Sequence, residues 1–274
     1  MRQLLIRSIT ALVLGIAVIA ALLWSVLAYY FIVLIIIGLA IVEFQMLLQK
    51  EYGKSPKQAT FNILMLVFFS DLIFATTALI NTGAISSKYL IIPVLLPFLF
   101  FISELASKNK KPFRNIAYNL LSLFYVSAPF ALLNYVTVDN NNYTPQLLLG
   151  MLFIIWSNDI FAYLIGSVIG RNPLLKRISP AKTIEGFIGG AIFALFVGIL
   201  VSQFFLQLSY KNWLIISVII VIFGTLGDLI ESMFKRSIGV KDSGSLLPGH
   251  GGILDRIDAV LFSLPFVIGY LILK

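Results

Sequence analysis

The sequence contains no cysteine and a single histidine, His250. Disulfides, thiolate metal sites and cysteine nucleophiles are therefore excluded, and a zinc site is disfavoured. Charged residues are also scarce, since they make up 12% of the 274 residues, whereas hydrophobic residues make up 59%. A water-soluble domain cannot bury so large an apolar fraction, so the composition predicts an integral membrane protein.

Two nucleotide-binding motifs of soluble enzymes are missing as well. The sequence has no G-x-x-x-x-G-K-[ST] loop and no G-x-G-x-x-G that opens a helix after a strand. Any nucleotide must therefore bind outside those architectures. A clear internal repeat is also absent, which disfavours an inverted-repeat transporter.

Apolar runs long enough to cross a hydrocarbon core of about 30 Å recur along the whole chain. Residues 216–223 are apolar at every position, which favours helices over the alternating strands of a membrane β-barrel. We predict an all-α polytopic membrane helix bundle of about nine transmembrane helices, with a turn between the first two near residues 24–30. The predicted spans are 5–23, 26–47, 60–80, 86–104, 115–135, 145–169, 184–208, 212–232 and 257–273.

The basic residues predict the orientation, because Lys and Arg accumulate in short cytoplasmic loops. With these spans, one side of the membrane holds 17 of the 20 basic residues, and the other holds only Lys88, Lys211 and Lys274. We therefore expect the N-terminus in the cytoplasm and the C-terminus outside. This topology signal also accounts for much of the net charge of +8.

Acidic residues within the predicted spans are functional candidates, because a carboxylate in a bilayer is costly. They are Glu43, Asp71, Glu104, Asp159, Asp228, Glu231 and Asp258. For the first three we expect a structural or interfacial role, since no second polar group accompanies them at helical spacing.

Asp228 differs from these three because polar residues follow it at spacings of three, four and seven, and so share its helix face. These residues are Glu231, Ser232 and Lys235. Asp255 and Asp258 are again three residues apart, on the opening turn of the last span. Carboxylates beside cations indicate a hard ion such as Mg²⁺ with a polyphosphate, and salt bridges that close the helix ends are the alternative.

Two cytoplasmic segments could bind anions. Residues 237–254 contain five glycines, whose N–H groups could wrap a phosphate, and His250 either binds a phosphate or holds this segment by hydrogen bonds. Earlier in the chain, Ser179 and Pro180 predict a helix start with Lys182 as a neighbouring cation, for which simple capping is the alternative. Asn158 and Asp159 add a polar pair within the sixth span.

The segment from residue 232 to 258 resembles the complete signature of phosphatidate cytidylyltransferases. The matching positions are Ser232, Lys235, Arg236, Lys241, Asp242, Gly244, Leu247, Pro248, His250, Gly251, Gly252, Asp255, Arg256 and Asp258. A second block of that family resembles Ser179, Pro180, Lys182, Thr183, Glu185 and Gly186, and a third resembles Asn158, Asp159, Ala162 and Tyr163. The resemblance covers the chain from about residue 155, while the N-terminal half matches only in hydropathy and span count.

The resemblance implies transfer of the cytidylyl group of CTP to phosphatidate, which gives CDP-diacylglycerol and pyrophosphate. It further implies Mg²⁺, room for a second cation such as K⁺, a homodimer and no nucleic-acid partner. The expected location is a bacterial inner membrane, with the active site facing the cytoplasm. Residues 1–274 then form a single transmembrane domain, in which the helices of residues 1–140 are a scaffold and residues 145–274 are the catalytic part.

The same resemblance assigns roles to individual residues. The implied metal ligands are Asp228 and Asp255, with Asp258 close by, and the implied phosphate-handling residues are Lys182, Lys235, Arg236 and Lys241. The further substrate-binding candidates are Asn158, Asp159, Ser179, Thr183, Glu185, Ser232, Asp242, His250, Gly251, Gly252 and Arg256.

Two other functions stay open at this point. A CTP-dependent lipid or polyprenol kinase would use a similar membrane site to transfer the γ-phosphate, and its nucleotide product would be CDP. An ion-coupled transporter would instead use the acids to bind its coupling ions near the middle of the membrane.

Overall fold

The fold is given by a computed structural model that describes residues 2–52, 56–107, 111–139, 142–244 and 251–274. Within these ranges the side chains are described except at residues 2–12, 50–52, 56–59 and 139. The chain divides into two compact units, one of residues 1–143 with 242–254 and one of residues 144–241 with 255–274.

Helices account for most of the first unit. They are α1 (Arg2–Trp24), α2 (Val26–Tyr52), α3 (Pro56–Asn81), α4 (Ile91–Leu95), α5 (Phe98–Leu105), α6 (Pro112–Ser122) and α7 (Ala128–Thr137). A 3-10 turn at Ser87–Leu90 precedes α4, and a π-helical turn at Leu123–Ser127 joins α6 to α7. Two short antiparallel strands, β1 (Val138–Asp139) and β2 (Asn142–Tyr143), follow α7.

Hydrogen bonds between buried polar side chains tie these helices together. Gln45 Nε2 on α2 donates to Ser122 Oγ at 2.8 Å, and Asn134 Nδ2 on α7 donates to Thr77 Oγ1 at 2.9 Å. Glu104 accepts a hydrogen bond of 3.2 Å from Asn115 Nδ2. Such bonds between helices satisfy polar groups that have no access to water in a bilayer.

The second unit contains the most polar helix ends. Its elements are α8 (Gln146–Ile169), β3 (Pro173–Leu175), β4 (Ser179–Thr183), α9 (Ile184–Phe204), α10 (Tyr210–Ile219), α11 (Thr225–Ser237) and α12 (Leu254–Leu273), whose first residue belongs to the first unit. A π-helical turn at Ile220–Gly224 joins α10 to α11, so that Tyr210–Ser237 is one continuous span. Strands β3 and β4 pair antiparallel.

Glycines let α8 and α9 pack closely. A Cβ at Gly190 would lie 2.7 Å from the carbonyl oxygen of Asn158, and one at Gly186 would lie 2.6 Å from that of Ala162. Small residues commonly permit this backbone approach between membrane helices. The contact places Asn158 beside Gly190, and Ala162 beside Gly186 in the first turn of α9.

The structure confirms the all-α polytopic fold. Among the described residues, eight helical stretches are long and apolar enough to cross a membrane, and the apolar segment Val13–Trp24 is shorter. The predicted turn after the first span lies at Ser25, whose Oγ accepts a hydrogen bond of 3.1 Å from the N–H of Ala28 and so caps α2. The orientation across the membrane stays a prediction.

One local prediction was wrong. Ser179 does not cap a helix, because it pairs with Leu175 in the β3–β4 hairpin. The helix begins at Ile184, and Thr183 is the N-cap, with its Oγ1 accepting a hydrogen bond of 3.1 Å from the N–H of Gly186. Pairing with β3 satisfies the backbone of the segment that the Ser-Pro pattern alone assigned to a first helical turn.

Candidate metal and phosphate site

One face of α11 carries the polar stripe that the sequence spacing predicted. Ser232 Oγ donates to Asp228 Oδ1 at 3.4 Å, one turn apart. In the next turn, Lys235 Nζ donates to Glu231 Oε2 at 2.8 Å. Residues three and four apart lie on the same side of a helix, so the stripe follows directly from the helical repeat.

Lys235 also contacts the start of α12. Its Nζ lies 2.5 Å from Asp255 Oδ1, and the exposed fractions of the Lys235, Glu231 and Asp255 side chains are 11%, 3% and 12%. A buried ammonium between two carboxylates neutralises one of their charges, and its own desolvation is compensated by both hydrogen bonds.

Three carboxylates converge next to this ion pair. One oxygen each from Asp228, Glu231 and Asp258 lies within 4.8 Å of the others. Glu231 and Asp258 are buried, and within the described part of the chain Glu231 Oε1 has no hydrogen-bond partner. Oxygen ligands in such a cluster suit a hard divalent cation, which fills its remaining positions with water or phosphate oxygens.

A single glycine makes this convergence possible. A Cβ at Gly227 would lie 2.6 Å from the carbonyl oxygen of Asp258 and 2.6 Å from Phe262 Cβ, so a side chain there would push α11 and α12 apart. The π-helical turn at Ile220–Gly224 lies directly before α11. Such turns insert one extra residue and change which side chains face a neighbour, and they recur at functional sites.

Cations border the acidic cluster. Lys182, at the end of β4, forms an ion pair with Asp228 Oδ2. Asp159 lies close enough to Asp228, Lys182 and Arg256 to interact with them electrostatically. An arrangement of acids with flanking basic groups is what a metal–polyphosphate complex requires.

Two further candidates support the hairpin that carries Lys182. Glu185 accepts hydrogen bonds from the backbone N–H of Arg171 at 3.1 Å and of Asn172 at 3.2 Å, and from Asn172 Nδ2 at 2.7 Å. Thr183 caps α9, as described above. Both residues therefore fix the backbone around β3 and β4 in this structure.

The remaining candidates are not members of the carboxylate cluster. Arg236 is exposed and donates to the carbonyl oxygen of Val240 at 3.2 Å, and Lys241 is exposed. Asp242, Gly251 and Gly252 belong to the first compact unit. His250 lies outside the described residues.

The metal ligands implied by the family resemblance did not include Glu231, and sequence reasoning did not single out Gly227. The signal for Glu231 was its position three residues after Asp228 on the same helix face. Gly227 gave no signal of its own, because its role depends on the backbone of α12 opposite it. Asp255, an expected metal ligand, contacts Lys235 in this structure.

Fold and site together define a polytopic membrane protein that can hold a hard cation beside basic groups in its helical core. The sequence model of the cytidylyltransferase family matches residues 5–273. Because the match covers nearly the whole chain, the protein belongs to the cytidylyltransferase family.

Several curated relatives support the same family. The chain is 43% identical over 176 residues to a phosphatidate cytidylyltransferase of Staphylococcus haemolyticus. It is 42% identical to the protein of that name in Staphylococcus saprophyticus and 40% identical to the one in Staphylococcus aureus. Each of these matches covers 64% of this chain and 66% of the relative, slightly less than two thirds.

Proposed function

We propose that this protein transfers the cytidylyl group of CTP to phosphatidate and so forms CDP-diacylglycerol and pyrophosphate. The observation that carries the proposal is the cluster of Asp228, Glu231 and Asp258 between Lys182 and Lys235 in a member of the cytidylyltransferase family. The name of the relatives, phosphatidate cytidylyltransferase, supports the choice of substrates.

Mg²⁺ is the metal in this proposal, and Asp228, Glu231 and Asp258 would hold it. With the neighbouring acids Asp159 and Asp255, the site contains five acidic groups. Its basic groups are Lys182, Lys235 and Arg256, so the acidic groups exceed the basic groups by two. One divalent ion would balance that excess, and when bound it would neutralise phosphate charge and favour attack at phosphorus. A second cation such as K⁺ belongs to the proposal, and titration of the activity with each ion tests it.

The reaction needs no strong base, because phosphatidate already carries an anionic phosphate oxygen. That oxygen attacks the α-phosphorus of CTP, and the bond to the β-phosphate breaks to release pyrophosphate. The main barrier is the repulsion between two anions that must meet. Lys182 lowers this barrier when it exchanges the ion pair with Asp228 for a contact with phosphate. Lys235 adds a fixed positive charge at the site.

The enzyme in this proposal works at the cytoplasmic face of a bacterial inner membrane and as a homodimer. The strongly basic loops on one side of the predicted topology support the orientation. For the dimer, light scattering in detergent should give a protein mass of about twice the 30.5 kDa of one chain. A mass of one chain under conditions that retain activity would reject the homodimer.

Product analysis tests the activity directly. Purified protein with phosphatidate, CTP and Mg²⁺ should release pyrophosphate and form CDP-diacylglycerol. Release of CDP with a phosphorylated lipid would instead identify a kinase, and solute flux in proteoliposomes without nucleotide turnover would identify a transporter.

A matched pair of variants tests the site. Asp258→Asn should lower kcat by about 100-fold or more, because it removes a preorganised charge from the cluster. Asp139→Asn, in β1 of the other unit, should keep the activity of the unaltered protein. If Asp258→Asn is fully active while folded, the proposed metal site is rejected.

A further inference from the structure

Glu43 is a buried acid on α2 that the proposed reaction does not use. Glu43 is 2% exposed, and its Oε2 accepts a hydrogen bond of 2.8 Å from the backbone N–H of Leu254. The two residues are 211 positions apart in the chain. A buried carboxylate in a membrane helix is costly unless it is hydrogen-bonded, so this contact is a specific feature of the fold.

The other carboxylate oxygen of Glu43 lies against two glycines. A Cβ built on Gly244 would overlap Glu43 Oε1 and would lie 3.0 Å from its Cδ and 3.3 Å from its Cγ. A Cβ on Gly252 would overlap the same oxygen and also Ser243 Oγ. One carboxylate therefore contacts the backbone at Gly244, Gly252 and Leu254, whereas residues 245–250 lie outside the described part of the chain.

The hydrogen bond from Leu254 is made at the first residue of α12. Asp255 follows directly in the chain, and Asp258 lies one helical turn later. A carboxylate that accepts a free N–H at a helix start satisfies an otherwise unpaired donor and favours the positive end of the helix dipole. The contact therefore fixes the residue at which α12 begins.

We propose that Glu43 is a positioning residue for the cytidylyl transfer, through its contacts with Gly244 and Gly252 and with the N–H of Leu254 at the start of α12. It acts by fixing the residue at which the helix turn that carries Asp255 and Asp258 begins. This inference rests on the proposed function for its kinetic consequence, whereas its structural part stands by itself.

A double-substitution experiment tests the contact. The three atoms nearest to a Cβ on Gly244 all belong to Glu43 beyond its Cβ, and the backbone at Gly244 needs no positive φ. Gly244→Ala should therefore be harmful alone, and Glu43→Ala should be harmful alone. The double variant should behave like Glu43→Ala, because the added methyl then meets no Glu43 carboxylate. Additive losses would overturn the proposal.

The kinetic measurement is the Mg²⁺ concentration that gives half-maximal activity. In Glu43→Ala it should rise about tenfold, since two acids of the site lose their fixed orientation. Glu43→Gln should recover part of the loss, because its amide oxygen can still accept the N–H of Leu254. Gly269→Ala, on α12 with open space around the added methyl, is the control and should match the unaltered protein. If Glu43→Ala only reduces the amount of folded protein, the half-maximal Mg²⁺ concentration stays unchanged. An unchanged concentration would also overturn the proposal.

Hydrogen exchange separates this inference from the proposed activity. Peptides covering residues 251–258 should exchange roughly tenfold faster in Glu43→Ala than in the unaltered protein or in Gly269→Ala. If the unaltered protein forms no CDP-diacylglycerol, the proposed function fails while the exchange result still decides the role of Glu43. Equal exchange in all three proteins would reject that role even if the enzyme is active.

Discussion

At the scale of single residues, the cluster is organised around Lys235. The ammonium contacts Glu231 on its own helix and Asp255 on α12. Without it, Glu231 and Asp255 would lose their shared cation next to the two other acids of the candidate metal site, Asp228 and Asp258. Breaking a buried ion pair by removing one partner leaves an uncompensated charge, which is far more costly than removing an exposed pair.

Substitution of Lys235 should therefore affect stability as well as activity. Lys235→Met is expected to lower the free energy of unfolding by about 3–5 kcal/mol, because two buried carboxylates lose their shared cation. The decrease of the melting temperature in detergent measures this loss of stability. The neighbouring variant Arg236→Met serves as the stability control, since Arg236 is exposed and donates only to the Val240 carbonyl among the contacts described. Equal melting temperatures for both variants would contradict the interpretation.

At the scale of elements, the approach of α11 to α12 decides whether the acids meet. Gly227→Ala places a methyl group 2.6 Å from the Asp258 carbonyl oxygen, so the helices must shift. We expect a loss of about 1–3 kcal/mol in stability and a decrease in kcat that exceeds the loss of folded protein. Melting of the purified variant measures its stability, and pyrophosphate release measures its kcat.

The matched control for this substitution is on the same span. A methyl group at Gly224 would lie 3.5 Å from Ala259 Cβ, which is an ordinary contact. Gly224→Ala should therefore leave stability and kcat close to those of the unaltered protein. Similar damage from both substitutions would show that the close approach at Gly227 is not the cause.

The β3–β4 hairpin is the second element with a testable role, because it carries Lys182. Glu185→Ala removes the acceptor for two backbone N–H groups and one side-chain amide. We expect the KM for CTP to rise by about tenfold, because the hairpin that carries Lys182 loses the hydrogen bonds to this carboxylate. Steady-state kinetics measures the change. Ser167→Ala, which removes only a local bond to the Leu164 carbonyl, should leave the KM unaltered.

At the scale of the whole molecule, the orientation across the membrane is the main prediction that only an experiment can decide. The absence of cysteine makes single-cysteine labelling free of background. Lys176→Cys should react with a membrane-impermeant maleimide only in inverted vesicles, and Lys88→Cys should react in intact spheroplasts. The reverse pattern would place the C-terminus in the cytoplasm.

The division of the chain illustrates a limit of hydropathy analysis. The compact units meet in the chain at residues 143 and 144. Residues 242–254, however, belong to the first unit although they connect α11 to α12. Hydropathy cannot predict this, because it records how apolar a segment is and contains no information about its neighbours.

Glu43 illustrates the same limit at a single position. The sequence showed an isolated acid in a span, with no second polar group at helical spacing, and predicted a structural role. Its hydrogen-bond donor and its two glycine neighbours come from a segment about 200 residues later. The hydrogen bond from Leu254 is such a structural contact, and only the tertiary structure shows which segment makes it.

The sequence by itself determined the helical membrane fold and the polar face of α11, because both depend on local periodicity. Run length sets which segments span a bilayer, and the 3.6-residue repeat places Asp228 and Glu231 side by side. The tertiary structure alone decided which acids and cations of different elements meet. Lys235 and Asp255 are 20 residues apart and Lys182 and Asp228 are 46 apart, and such pairs form only where backbones approach, as at Gly227.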